Sequence, residues 1–155
     1  MLIDLSAAFD TVSHQILCDI MERSFGVSSV ALDWLDSYLH PRAQQIIIND
    51  TKSDRFILEQ GVPQGSCLGP VLFTGYSSSV FEVINQSDMH GHGYADDHQI
   101  YVGFHPSDLQ DAKTSMEHCI AEIRHWMKSM RLKVNDSKTE YILLGTPQQL
   151  SLIHI

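Results

Sequence analysis

Leu109, Ala112, Met116, Cys119, Ile123, Trp126 and Met130 recur every three or four residues and draw one apolar stripe along a single long helix. Such a helix persists only with its stripe laid against another layer, so the other segments must supply that layer. Ser107 with Gln110 forms a capping-box pattern at its start. Most other apolar runs are too short for helices. Leu2 to Leu5, interrupted by Asp4, reads as a buried strand. Gln44 to Ile48 and Arg55 to Leu58 flank a polar turn as a hairpin, and Tyr94-Ala95 and Gln99 to Val102 form a second hairpin with Asp96-Asp97 at its bend. Tyr141 to Leu144 supplies a last strand. Two helices are predicted early in the chain: Ser13 to Ser24, stopped by Gly26, and a second capped by Ser28, with Val30, Trp34 and Leu35 inward, ended near Leu39 by Pro41. Gly61 to Pro70 holds too much Gly and Pro for an element interior, so it is a loop feeding a helix from Val71 to Val83. This order, without internal repeat, predicts an α+β fold: an antiparallel sheet with helices packed on one face.

The chain has 155 residues with 43% hydrophobic and 19% charged, a balance that fits one globular core and excludes a disordered or fibrous protein. Ten Lys plus Arg against nineteen Asp plus Glu leave a net charge of -9, which repels polyanions unless metals or further basic segments intervene. Cys18, Cys67 and Cys119 are odd in number and far apart, so they encode neither a disulfide framework nor a four-cysteine zinc site, and a reduced intracellular setting is expected. Asp4 interrupts the opening apolar run, so no signal peptide is expected in it. The uncharged stretch from Gly61 to Phe81 contains four glycines and two prolines and fails as a membrane span. Residues 150–155 match the translation of a common library adaptor and are expected to be a scar outside the fold.

Three carboxylates invite chemistry. Asp4 and Asp96-Asp97, on strands ending at one sheet edge, could gather oxygen ligands for hard cations such as Mg²⁺, although adjacent aspartates in a turn are ordinarily solvated turn formers. A rival class is a zinc hydrolase, suggested by His90-x-His92 and Asp97-His98. Four residues separate His92 from Asp97, which is the wrong spacing for the dinuclear pattern. Arg124 to Lys138 carries five bases and one acid, a local +4 that makes it the candidate strip for phosphate contact or, more simply, a solvated helix face.

Leu2-Ile-Asp-Leu-Ser-Ala-Ala-Phe-Asp10, Gly61-Val-Pro-Gln-Gly-Ser66, Tyr94-Ala-Asp-Asp97 and Leu132-Lys-Val-Asn135 with Lys138-Thr139 occur in that order. Together they resemble the reverse transcriptase of non-LTR (LINE-type) retrotransposons, especially the jockey-like and chicken-repeat-like groups, from Leu2 to about Gly145. The resemblance implies a polymerase palm over residues 1–149, with fingers, thumb and an endonuclease domain lying outside the chain. It implies two Mg²⁺ ions, or Mn²⁺ in their place, at Asp4, Asp96 and Asp97, which are then the catalytic residues. Phe9 matches the family's steric gate against the ribonucleotide 2′-hydroxyl; its alternative is core packing. Gln64 and Gly65 match a loop beside the incoming nucleotide, and Lys138 a residue near the triphosphate. The implied partners are an RNA template, a DNA primer and deoxynucleoside triphosphates, the implied location cytoplasm and nucleus. His98 stands where a smaller hydroxyl residue is usual. An isolated palm is expected to have little activity, and a non-catalytic retrotransposon relic is the rival reading.

Overall fold

The computed structural model describes residues 1–150. In chain order its elements are β1 (Leu2–Ile3), α1 (His14–Phe25), α2 (Val30–Leu39), β2 (Arg42–Gln44), β3 (Ile47–Ile48), β4 (Thr51–Lys52), β5 (Phe56–Leu58), α3 (Gly69–Ser77), α4 (Val80–Gln86), β6 (His90–Tyr94), β7 (Asp97–Tyr101), α5 (Leu109–Ser129) and α6 (Pro147–Leu150). The expected α+β class is observed. Where composition led to the expectation of a single core, the described residues form two compact units, one built from Met1–Ser6 and residues 78–150, the other from Ala7–Ser77.

The first unit holds an antiparallel sheet in the order β1-β7-β6, with Ile3 opposite His98 and Gly93 also opposite His98 on the far side. The free edge of β1 is met by residues 133–140. Ser6 N–H donates to the Lys133 carbonyl at 2.8 Å, Asn135 N–H to the Asp4 carbonyl at 2.9 Å, and Leu2 and Glu140 exchange bonds at 2.8 and 3.1 Å. This segment occupies the place expected for Tyr141–Leu144, which is irregular, with Tyr141, Ile142 and Leu144 exposed. Along β7 exposure alternates, so Asp97, Gln99 and Tyr101 face outward while His98 and Ile100 are buried with Ile3 and Leu5.

Gly91 and Gly93 share the inner face, and their missing side chains admit α4. A Cβ on Gly91 would stand 2.9 Å from Ile84 Cδ1, and one on Gly93 2.8 Å from Phe81 Cζ. The long helix α5 packs on α4 with Met116, Cys119, Ile120, Ile123 and Met127 buried, while Trp126, expected inward, is half-buried and donates from Nε1 to Ser79 Oγ at 3.1 Å. Ser107 does not cap α5 in the expected box; it sits in a 3-10 turn over Pro106–Asp108, its hydroxyl donating to Asp108 at 2.6 Å.

In the second unit α1 ends at Gly26, whose φ of 68° is the left-handed stop expected for glycine. The helix expected to start from Ser28 starts at Val30 and turns Leu35 and Leu39 inward; Val30 and Trp34 are exposed, and Trp34 stacks on Tyr38 at 5.7 Å along the helix surface. The 42–58 hairpin forms in two rungs, β2 with β5 and β3 with β4. Between the rungs the returning arm has one residue more, and Ser53 Oγ accepts the Ile46 N–H at 3.0 Å. The helix expected over Val71–Val83 is broken into α3 and α4 at Ser78-Ser79, where the chain passes from the second unit to the first. Ser77 Oγ donates to the Phe73 carbonyl at 3.0 Å there, the kind of side-chain bond that competes with helix continuation.

Candidate active site

Asp4 immediately follows β1, which lies between β7 and the 133–140 segment. The pairing of β1 with β7 ends at Ile3 opposite His98, and Asp4 and Asp97 adjoin that last pair. Both line a cleft of about 460 Å³ together with Gln99, Ser137, Lys138 and Glu140, all in the first unit. One carboxylate oxygen of Asp4, Oδ2, accepts from Asn135 Nδ2 at 2.9 Å and faces Lys138 Nζ at 3.5 Å. Asn135 is held in turn: Lys138 N–H and the Thr139 hydroxyl donate to its carbonyl at 3.1 and 2.9 Å, and the Ser137 hydroxyl donates to its Oδ1 at 2.7 Å. Sequence reasoning quoted Asn135 in a motif without giving it this task; the signal was its three-residue spacing from Lys138.

The aspartate pair does not act as one unit. Asp96 sits with Ala95 in the two-residue turn between β6 and β7, Ala95 having φ 55°, whereas Asp97 is the first residue of β7, opposite Tyr94. Asp96 is half-buried and does not line the cleft. Its carbonyl accepts from Nδ1 of the buried His98 at 3.2 Å, and burial pushes the His98 imidazole below its ordinary pKa, with this bond and the Asp96 and Asp97 charges opposing. The structure thus brings Asp4, Asp97 and Lys138 together and leaves Asp96 at the adjoining turn. Among the described residues no three His, Cys, Asp or Glu side chains converge tightly enough to hold a metal ion. The donor set is still the chemically suitable one, since carboxylate oxygens are what hard divalent cations take.

The zinc reading fails on strand alternation. His90 and His92 are exposed on the outer face, His90 beside Tyr101 at 5.5 Å, while His98 is buried on the inner face. Of the basic strip, Arg124 pairs with Asp136, and Lys128, Arg131 and Lys133 stand exposed.

Phe9, Gln64 and Gly65 belong to the second unit. Phe9 is half-buried and stacks on Phe73 at 4.8 Å, so part of its ring is packed and part accessible. Gln64 is exposed and donates to Asp10 Oδ1 at 3.0 Å, a partner the sequence did not single out. Gly65 has φ 75° and open space around it. The start of the loop is clamped: Gly61 N–H donates to the Val12 carbonyl at 2.7 Å and Val62 N–H to the Phe9 carbonyl at 2.8 Å.

An antiparallel sheet backed by helix, with an aspartate at the end of β1 beside an Asp-Asp hairpin, is the arrangement of a polymerase palm of the α+β class. The chain belongs to the reverse transcriptase (RNA-dependent DNA polymerase) family, whose profile matches residues 1–152. It is 28% identical, over 88% of its length, to the probable RNA-directed DNA polymerase from transposon BS of Drosophila melanogaster, and 24% identical, again over 88%, to the RNA-directed DNA polymerase from mobile element jockey of the same fly. It is 34% identical over 46% of its length to the retrovirus-related Pol polyprotein from type-1 retrotransposable element R2 of Popillia japonica. The matches span 12% to 15% of these relatives. The family is one of nucleotidyl-transferring enzymes that use divalent metals, and among the described residues no helix is long and apolar enough to cross a membrane.

Proposed function

We propose that this chain is the palm of an RNA-directed DNA polymerase of a non-LTR retrotransposon, extending a DNA primer on an RNA template from deoxynucleoside triphosphates inside the cell. The observation that carries the reading is the cleft lined by Asp4, Asp97 and Lys138, beside the β6–β7 turn that holds Asp96. Asp4, Asp96 and Asp97 would hold two Mg²⁺ ions, which supply activation of the primer 3′-hydroxyl and charge neutralisation at the transferred phosphoryl group. Asn135 fixes the rotamer of Asp4 through Oδ2 and leaves Oδ1 for a ligand. Lys138, 68% exposed and 3.5 Å from the same carboxylate, can donate a proton to departing pyrophosphate. Phe9 excludes a 2′-hydroxyl with the accessible part of its ring, and Gln64 and Gly65 present an amide and a close backbone to the nucleotide.

The test is primer extension by a chimera in which residues 1–145 replace the matching segment of the jockey polymerase, so that the remaining parts are supplied. Synthesis is expected, with Asp96→Ala or Asp4→Ala lowering it by about 10³-fold or more, and Phe9→Val raising ribonucleotide incorporation. Full activity with Asp96→Ala defeats the assignment of the site. A chimera that folds and is inert in every form favours the rival, a relic that keeps the fold without the chemistry.

A further inference from the structure

In the second unit the buried side chain of His14, 2% exposed, stands at the start of α1 in a continuous chain of hydrogen bonds. Asp36 Oδ1 lies 3.0 Å from His40 Nδ1, His40 Nε2 lies 2.8 Å from His14 Nδ1, and His14 Nε2 lies 2.7 Å from the carbonyl oxygen of Gly61. The imidazoles meet edge to face, with ring centroids 4.4 Å apart. Arg42 NH1 donates to the same carbonyl at 3.1 Å. Gly61 opens the loop that carries Gln64 and Gly65.

The partners dictate the protons. A carbonyl only accepts, so His14 Nε2 carries hydrogen; an ionised carboxylate only accepts, so His40 Nδ1 carries hydrogen as well. The contact between the two rings needs one further proton between them. Three protons on four ring nitrogens make one imidazolium for the pair. Burial disfavours that charge on His14, so His14 accepts through Nδ1 and His40 Nε2 donates. A fourth proton would set two N–H groups face to face, and loss of the third would set two lone pairs face to face; either breaks the chain of bonds.

We propose that His14 is a positioning residue for the Gly61–Gly65 loop, holding the Gly61 carbonyl through its Nε2–H while its Nδ1, turned to His40, fixes the ring. The proposal rests on reading that loop as nucleotide-binding. The groups facing His14 are Asp36 and His40 from α2, Arg42 from β2, the Gly61 carbonyl from the loop and Cys18 one turn along α1; α3 brings no charged side chain, and its Tyr76 hydroxyl accepts from Ser13 N–H at 3.4 Å. Burial pushes His14 below the ordinary histidine pKa, the Gly61 bond opposing and the charges of His40 and Arg42 reinforcing, with Asp36 opposing. The accepting Nδ1 of His14 is therefore kept at neutral pH and lost as pH falls below the ordinary histidine range toward the lowered value of His14, which parts the two rings and removes the contact that orients the Nε2–H on Gly61.

Nitrogen-15 NMR of the chain tests this directly. At pH 7.5 His14 is expected as the neutral Nε2–H tautomer with a coupling to His40 across the N–H···N bond. On acidification the amide signals of Gly61, Val62, Gln64 and Gly65 should move along the same curve as His14. In His14→Gln, which offers an N–H donor without a titration, those amides should stay fixed over the same range while circular dichroism reports an unchanged fold. The exposed substitution His40→Ala serves if His14→Gln does not fold; removing the neighbouring cation should raise the pH midpoint of the loop signals. An Nδ1–H tautomer at pH 7.5, loop amides that ignore His14, or a loop midpoint unmoved by His40→Ala overturns the proposal. Addition of dTTP with Mg²⁺ separates the two readings: loop amides that titrate with His14 but ignore the nucleotide uphold the positioning role and overturn the nucleotide-binding one.

Discussion

Two glycines of the same loop separate steric need from conformational need. Gly61 has φ 87°, and a Cβ there would stand 2.9 Å from the backbone oxygen of Asp10, an atom that cannot swing aside. Gly65 has φ 75° with nothing within 4 Å. Gly61→Ala should therefore add a backbone clash to left-handed strain and destabilise by about 2 to 3 kcal/mol, whereas Gly65→Ala carries strain alone, about 1 kcal/mol. Urea unfolding of both variants decides it, and equal losses would show that the contact with Asp10 does not set the loop. Sequence pattern alone marks both glycines as turn formers and cannot rank them, because the atom that distinguishes them lies some fifty residues earlier in the chain. The same blindness hides Asn135 behind Asp4 and Asp10 behind Gln64: each pair meets through a fold that residue spacing does not encode.

At the scale of elements, the legible parts were those with a local cause. Gly26 stops α1 by its own φ, and the α5 stripe forms because its period is helical. What failed depended on neighbours: Trp34 faces outward because Leu35 and Leu39 already fill the inward side, and Tyr141–Leu144 is no strand because residues 133–140 occupy the β1 edge first. The second hairpin begins at His90, earlier than alternation of hydrophobics suggests, since its inner-face residues are glycines. Those glycines make β6 and α4 one packing unit. Gly93→Ala should cost about 1 to 3 kcal/mol by pressing on Phe81, and Phe81→Leu in the same chain should return part of that loss. Strict additivity of the two changes in thermal unfolding would mean that α4 does not rest on the glycine face.

The whole molecule carries -9, yet the residues expected to meet nucleic acid include its one strongly basic segment. Within that strip two of the five bases are engaged by carboxylates, Arg124 by Asp136 and Lys138 by Asp4, so the exposed contribution falls to Lys128, Arg131 and Lys133. Three phosphate contacts on a single strand release few counterions, and the surrounding negative field opposes approach. The chain alone should therefore bind an RNA oligomer no tighter than about 10 µM at 150 mM salt, with a log–log salt slope near ~-2 (roughly 0.7 per contact). Changing Lys128, Arg131 and Lys133 to Gln together should flatten that slope toward zero without altering thermal unfolding, because all three side chains are exposed. Fluorescence anisotropy across 50 to ~200 mM salt reads both quantities. Tight, salt-insensitive binding, or a triple variant with the parent slope, would locate the RNA contact elsewhere on the surface. The predicted weakness follows from charge alone, so tighter binding of an RNA oligomer requires basic surface beyond the strip.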